Sequence, residues 1–247
     1  MSLVLLPCEV FHREFDAKLI LAAKLAAEKN MHVLLGYDKF FNALIPYLPK
    51  SILLDKSCSS IVYNGRIAPV KKKNGIVLIN DEEGFNNLTS NFKYSWLNRV
   101  DRKAAASVDA YLAWGSIDKE FFSQIDELEG KIEVAGNCRS DLLNSIGTAY
   151  FQDLIQSYKN SFKQFVLISD NFCVERWRED YVLPKFNVAS EKAAAAQHEF
   201  DESQKIVREK REFMCKILDP IISQRQDIDF VIRPHPVANP LWWQNRF

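Results

Sequence analysis

From Leu3 to Val134 short apolar runs alternate with amphipathic stretches, and few folds accommodate that rhythm. The runs at 3–6, 31–36, 51–54, 76–79, 110–114 and 131–134 read as strands, while 14–30 carries Phe15, Leu19, Ala22, Ala23 and Ala26 at helical spacing. Shorter helices are expected at 38–47, ended by Pro46 and Pro49, at 97–108, and at 117–128 after Ser116. Strand followed by helix, repeated in this way, closes into a parallel sheet with helices on both faces and right-handed crossovers. The fold class is therefore α/β and Rossmann-like.

Within that frame one strand ends unusually. Ile76-Val77-Leu78-Ile79 runs through Asn80 into three consecutive carboxylates and a glycine, Asp81-Glu82-Glu83-Gly84. Apolar residues in unbroken series suit a strand buried on both faces, and open parallel sheets bind ligands beyond the carboxyl ends of their strands. Like charges side by side repel, and partial burial disfavours the ionised form, which makes a carboxyl a useful proton acceptor near neutral pH. The alternative is a solvated acidic turn capping the next segment. Lys71-Lys72-Lys73, just upstream, reads as a solvated turn feeding the strand, with phosphate or anionic lipid as its alternative partner.

Composition narrows the class. At 247 residues the chain has room for one large or two modest domains, and 47% hydrophobic with 26% charged residues belongs to a soluble globular protein. Thirty-two basic and 32 acidic side chains balance, so net charge does not call for nucleic acid. Cys8, Cys58, Cys138, Cys173 and Cys215 form no CxxC pair and are odd in number, which argues against a zinc cluster or a disulfide framework and for a reducing cytoplasm; no metal site is expected. The apolar start is too short for a signal sequence, and no stretch approaches the ~20 apolar residues of a membrane span.

Beyond Val134, Gly136-Asn137-Cys138-Arg139-Ser140-Asp141 makes a polar turn, and 142–161 supplies helix with a break expected at Gly147. Phe165-Val166-Leu167-Ile168-Ser169 starts a second strand set, a long helix covers about 190–223, and Phe230-Val231-Ile232 runs into Arg233-Pro234-His235-Pro236. The long helix exceeds the usual length, so a kink or split is expected. The boundaries read as a first domain at 1–145, a linker helix at 146–163 and a second domain at 164–247. One strand, one helical connection and one further strand make too little sheet for a doubly wound core, so the second domain reads as truncated. Leu241, Trp242, Trp243 and Phe247 lack obvious partners; they are expected to pack on the first domain, to meet another chain, or to await sequence not present, with association as the outcome. His235, held between two prolines, is presented rigidly, and Arg233 offers a planar fork for phosphate or carboxylate. His12 follows the first strand and could line a cleft, whereas His32 and His198 read as surface positions.

In order, the motifs resemble a known family. The acidic pair with glycine after one strand, and His-Pro after another, are similar to the D/E-D/E-G and HP motifs of bacterial sialyltransferases and Kdo transferases. The wider set resembles the bacterial surface carbohydrate (lipopolysaccharide or capsule) biosynthesis proteins: Asp16-Ala17-Lys18-Leu19, Asp81-Glu82-Glu83-Gly84, Gly136 to Leu143, Ser169-Asp170-Asn171-Phe172 and Arg233-Pro234-His235-Pro236. These motifs cover nearly the whole chain. Cys138 stands where the family turn usually has proline.

The resemblance implies a two-domain glycosyltransferase-B fold with its active site between the domains, and transfer of a sugar from a nucleotide-sugar donor, most naturally a CMP-activated keto-sugar, to a glycan acceptor. It implies Glu82 as the catalytic carboxylate, with Asp81 and Glu83 as the other members of the triplet. His235 and Arg233, with Ser169 and Asn171, would contact the donor. No further cofactor is implied. Family members continue well beyond the His-Pro motif, so weak or absent activity of this chain alone is expected. The other readings are a catalytically dead remnant or binding subunit, and a phosphotransferase using CDP-glycerol-like donors. The implied location is cytoplasmic, with peripheral membrane association, and the implied partners are the two substrates and a second chain that completes the structure.

Overall fold

The computed structural model describes residues 2–82, 100–162, 164–170, 191–234 and 241–246. Two compact units divide the chain, residues 1–152 and 153–247.

In the first unit the strands are Leu3–Cys8 (β1), His32–Tyr37 (β2), Ser51–Asp55 (β3), Ile76–Ile79 (β4), Ala110–Ala113 (β5) and Ile132–Val134 (β6). All pair in parallel, in the order β2-β1-β3-β4-β5-β6. The chain moves outward from β1 to β2, then returns to β3 on the other side of β1. Helices occupy the crossovers: Phe11–Lys29 (α1), Asp38–Leu44 (α2), Ser60–Val62 (α3), Ala68–Lys72 (α4), Arg102–Ser107 (α5) and Ser116–Phe122 (α6), and Cys138–Asp141 (α7) follows the last strand. This is an α/β, Rossmann-like domain. Leu5, Leu53, Val77, Ile79 and Tyr111 form the middle of the core, and the Tyr111 ring packs on Phe122 at 4.3 Å. Burying each such aliphatic side chain contributes about 1.5–3 kcal/mol.

Several local readings are corrected. Residues 60–72, left unassigned in the sequence, are helical throughout, because α3 and α4 join through a π turn at Tyr63–Ile67. Gly65 and Pro69 obscure the periodicity there, and Pro69 sits in the first turn of α4, where proline costs nothing. Lys71 and Lys72 therefore end a helix, Lys73 enters the turn that feeds β4, and of the three only Lys72 is exposed. Lys71 pairs with Asp109 at 2.9 Å, and Lys73 Nζ donates to the carbonyls of Ile45, Pro46 and Leu48, closing the end of the α2 region. The helix expected across 117–128 ends at Phe122, and a 3-10 turn covers Asp126–Leu128.

Gly75, at the mouth of β4, has no room for a side chain: a Cβ there would lie 2.5 Å from Val70 Cγ1 and 2.6 Å from the Ser51 carbonyl oxygen. Gly75→Ala is therefore expected to lower stability by about 1–3 kcal/mol, the usual range for overpacking. Chemical denaturation that shows no loss would contradict the tight approach of β3 and α4.

In the second unit, Phe165–Ser169 (β7) and Asp229–Arg233 (β8) form a two-stranded parallel sheet. Ser145–Tyr150 (α8) closes the first unit, and Gln152–Ser161 (α9) crosses into the second, so the helical break falls at Phe151. Gly147 lies inside α8, where the Leu142 carbonyl oxygen would sit 1.8 Å from an added Cβ. Glu191–Gln224 (α10) runs as one helix with Pro220 inside it. Trp243, expected to lack partners, is buried on Leu241–Gln244 (α11), and its indole N–H donates to Asp170 Oδ2 at 2.7 Å. Trp242 packs under the Arg211 guanidinium at 3.8 Å, so this apolar segment finds its partners within its own unit. The β7 residues Phe165, Val166 and Leu167 remain exposed.

Candidate functional site

At the carboxyl edge of the first sheet, the strand order reverses between β1 and β3. Adjacent loops there leave in opposite directions and open a crevice, the place where ligands bind in folds of this kind. Three segments converge on it: the β1–α1 turn with the first half of α1, the residues after β3, and the end of β4.

Their titratable side chains form a chain of alternating charge. Glu9 accepts from Lys56 at 2.6 Å, Lys56 donates to Glu14 at 2.9 Å, Glu14 accepts from Lys18 at 3.1 Å, and Lys18 contacts Glu82 Oε1 at 2.9 Å. Glu14, Lys18 and Glu82 are almost wholly buried, whereas Glu9 is 55% exposed at its side chain. Glu14 and Lys18 are one helical turn apart, so both project from one face of α1. Glu14 also accepts the backbone N–H groups of Glu9 and Val10 at 2.9 and 3.3 Å, capping the turn into the helix. Lys18 Nζ donates a third bond to the Pro7 carbonyl, 2.5 Å away. All three of its ammonium hydrogens are thus committed, which makes Lys18 a fixed cation and not a nucleophile.

The two buried carboxylates respond to this setting in opposite ways. Burial alone would raise the pKa of Glu14, but Lys18 and Lys56 outweigh it and hold the group down at about 2. Glu82 contacts Lys18, with Lys56 a weaker influence, and burial, reinforced by the Glu14 charge, outweighs both and pushes its pKa above the ordinary carboxylate value. Lys18 stays protonated, because the carboxylates beside it more than compensate for its own burial. Carboxylates with divergent pKa values in one crevice mark acid and base roles. Glu82 is 5% exposed, and its Oε2 has no hydrogen-bond partner among the described residues. A buried acceptor left unused costs about 1–3 kcal/mol, and such an orphan calls for an explanation.

The backbone that carries Glu82 is pinned from the far side. Arg139 Nη1 donates to the Glu82 carbonyl, and the Trp114 indole donates to that of Asp81. Asn80 donates to the carbonyls of Leu112 and Gly136 at 2.7 and 3.0 Å, and it accepts from Asn137 at 3.2 Å. Asn137 in turn caps α7 through Arg139 N–H. The polar turn 136–139 is therefore a buttress for the acidic one. Cys8 and Cys138 lie beside this cluster, and burial, helped by Glu14 and Glu82 respectively, raises both thiols to about 11, so neither is a thiolate nucleophile.

A second buried network backs the crevice. Arg66, on the π turn, grips Asp55 through Nε at 2.6 Å and Nη2 at 3.3 Å, and reaches Asp38 and Asn42 through Nη1. Its guanidinium is spent on these bonds and fixes the end of β3.

The structure brings together Lys18, Asp81, Glu82 and the 136–139 turn from the sequence motifs, and adds Glu9, Glu14 and Lys56. Glu83 lies outside the described residues. His12 is exposed in the first turn of α1. In the second unit, Ser169 and Arg233 are register partners at the ends of β7 and β8, and Asp170 N–H donates to the Arg233 carbonyl at 2.9 Å. Asn171 and His235 lie outside the described residues. Among those residues, no group of three histidine, cysteine, aspartate or glutamate side chains is placed to hold a metal ion, and no helix is long and apolar enough to cross a membrane.

The fold and crevice define an α/β domain with a buried carboxylate–ammonium chain at the switch point of its sheet. No family model, no curated protein and no solved structure matches the chain.

Proposed function

We propose that the chain is a glycosyltransferase of bacterial surface polysaccharide synthesis, of the glycosyltransferase-B kind, which moves a CMP-activated keto-sugar onto a hydroxyl of a glycan. The observation that carries this reading is the buried Glu82 with its unused Oε2, at the carboxyl end of a central strand. In this reading Glu82 takes the proton of the acceptor hydroxyl as that oxygen forms its bond to the anomeric carbon; the bond from that carbon to the CMP phosphate oxygen breaks, and CMP leaves with the electron pair. A raised pKa gives the carboxylate more basicity while Lys18 limits the rise. Arg233 and Ser169 would face the donor phosphate, as would His235 and Asn171, and Asp81 would support the turn. The reading places the work in the cytoplasm, at the inner face of the membrane.

Glu82→Gln keeps shape and removes the base. It is expected to lower kcat by about 100- to 10,000-fold with KM little changed. The check is transfer from CMP-Kdo and CMP-sialic acid to a glycan panel by the purified chain. Equal rates for both proteins would exclude Glu82 as the base.

A second reading, a binding subunit without transfer, is favoured by the second unit, which has a two-stranded sheet with an exposed apolar strand among its described residues. Calorimetry with CMP, CDP and UDP separates the readings. Binding of none supports the subunit, and a preference for CDP points to a phosphotransferase.

A further inference from the structure

The tryptophans of α11, which the sequence marked for association, are taken up within their own unit, and an apolar face that stays uncovered lies on α10 instead. Val207, Arg211, Met214, Cys215, Leu218 and Ile222 are the buried or half-buried side of that helix. Ile206, Phe213, Ile217 and Ile221 are exposed, Phe213 at 67%. At 3.6 residues per turn the two sets together cover roughly 200° of the helix surface, where roughly 100° seats a helix on its own unit. The surplus is a second apolar face.

Its spacing names the kind of partner. Ile206, Lys210, Phe213 and Ile217 follow one another at steps of four, three and four residues, which is the seam of a coiled coil. All four precede Pro220, so the helix that carries them is not interrupted by it. Glu209 and Lys216, both exposed and one heptad apart, flank the seam on one side, and the half-buried Val207 and Met214 flank it on the other.

The charges then select the occupant. A copy of α10 running the opposite way, with the two-fold axis between Arg211 and Glu212, sets Ile206 against the partner's Ile217 and lays the Lys210 stem across the partner's Phe213 ring. The same register puts Glu209 beside the partner's Lys216 on one flank and Val207 beside the partner's Met214 on the other. Sliding the pair by one heptad brings Lys216 to the partner's Lys216 in one direction and Glu209 to the partner's Glu209 in the other. A parallel pair sets Lys210 beside the partner's Lys210. Of these arrangements only the first avoids like charges, which oppose pairing where they face each other.

We propose that the exposed face of α10 seats a second copy of this chain in an antiparallel helix pair, with Glu209 and Lys216 fixing the register. The seam from Ile206 to Ile221 is about 22 Å long. A single helix pair of that length is a small interface, so the dimer is weak and reversible.

Sedimentation velocity of the full chain over a rising concentration series tests this. Wild type is expected to move from 28.5 kDa toward twice that mass. Phe213→Ser is expected to weaken dimerisation by about 100-fold, and to melt at the wild-type temperature in dilute solution because the ring is exposed. Glu209→Lys and Lys216→Glu are each expected to weaken it about tenfold, and the double variant to restore it. A wild-type monomer at every concentration overturns the proposal, and so does a dimer indifferent to Phe213→Ser, which would seat the second copy elsewhere. A dimer that Phe213→Ser abolishes but the paired charge reversal fails to restore overturns the antiparallel register.

Discussion

Lys18→Met is expected to cost the first unit about 3–5 kcal/mol, more than any other single change at the crevice. Methionine matches the stem of lysine in length, so packing is nearly kept, while Glu14 and Glu82 lose the cation they share and Pro7 loses its donor. The penalty arises from the charges left behind and not from the worth of the pair itself. Adding Glu82→Gln to Lys18→Met should therefore recover part of the loss, since one of the stranded charges is gone. Urea denaturation of wild type, both single variants and the double variant measures this coupling. Strict additivity would show that the 2.9 Å contact between Lys18 and Glu82 contributes nothing.

Glu14→Gln is the second large effect, and it depends on pH. The folded pKa of Glu14, about 2, lies below its ordinary value of 4.5. Its ionised form therefore stabilises the fold above pH 4.5, and that contribution drains away as the pH falls toward 2. The shift corresponds to a stabilisation on the order of 3 kcal/mol at neutral pH. Wild type should exceed Glu14→Gln by about this amount at pH 7, and the two should converge below about pH 3. Glu82 acts in the opposite sense. With its pKa raised, it stabilises only while protonated, and ionising it weakens the fold as the pH rises through its folded value. Removing Glu82 should accordingly leave the acid limb of stability intact. A Glu14→Gln curve parallel to wild type at every pH would mean that Glu14 is not a buried anion in the fold.

The strands were legible because each is a short apolar run with a clear stop. The second half of α1 was legible from its alanine and leucine spacing, but its first turn was not: Phe11, His12 and Arg13 look like loop residues until Glu14 is seen to cap them. The acidic turn at Asp81–Glu82 stood out as a carboxylate run. What set it apart from a solvated turn was invisible, since Lys18 and Lys56 come from segments 64 and 26 residues earlier in the chain and single lysines carry no local signal. Of the two expected causes of the raised pKa, partial burial is the larger, and the carboxylate that adds to it is Glu14 rather than a neighbour in the triplet. Only Lys18 had a pointer in the sequence, through the Asp16-Ala17-Lys18-Leu19 motif. Helix 60–72 was missed because its π turn breaks the period on which pattern reading relies.

The two clasps on the acidic turn come from parts of the chain made after it. Trp114 and Arg139 hold the carbonyls of Asp81 and Glu82, and neither exists until synthesis has moved well past β4. A growing chain can already draw Glu14, Lys18 and Lys56 together and offer Lys18 to Glu82, yet the clasp from Arg139 is missing until the turn after β6 has left the ribosome. Assembly of the crevice therefore waits on a distant segment, and contacts so far apart in sequence form late. Through that interval the carboxylates of Glu9 and Glu14 match the ammonium groups of Lys18 and Lys56, and Glu82 is the last charge to be fixed among them.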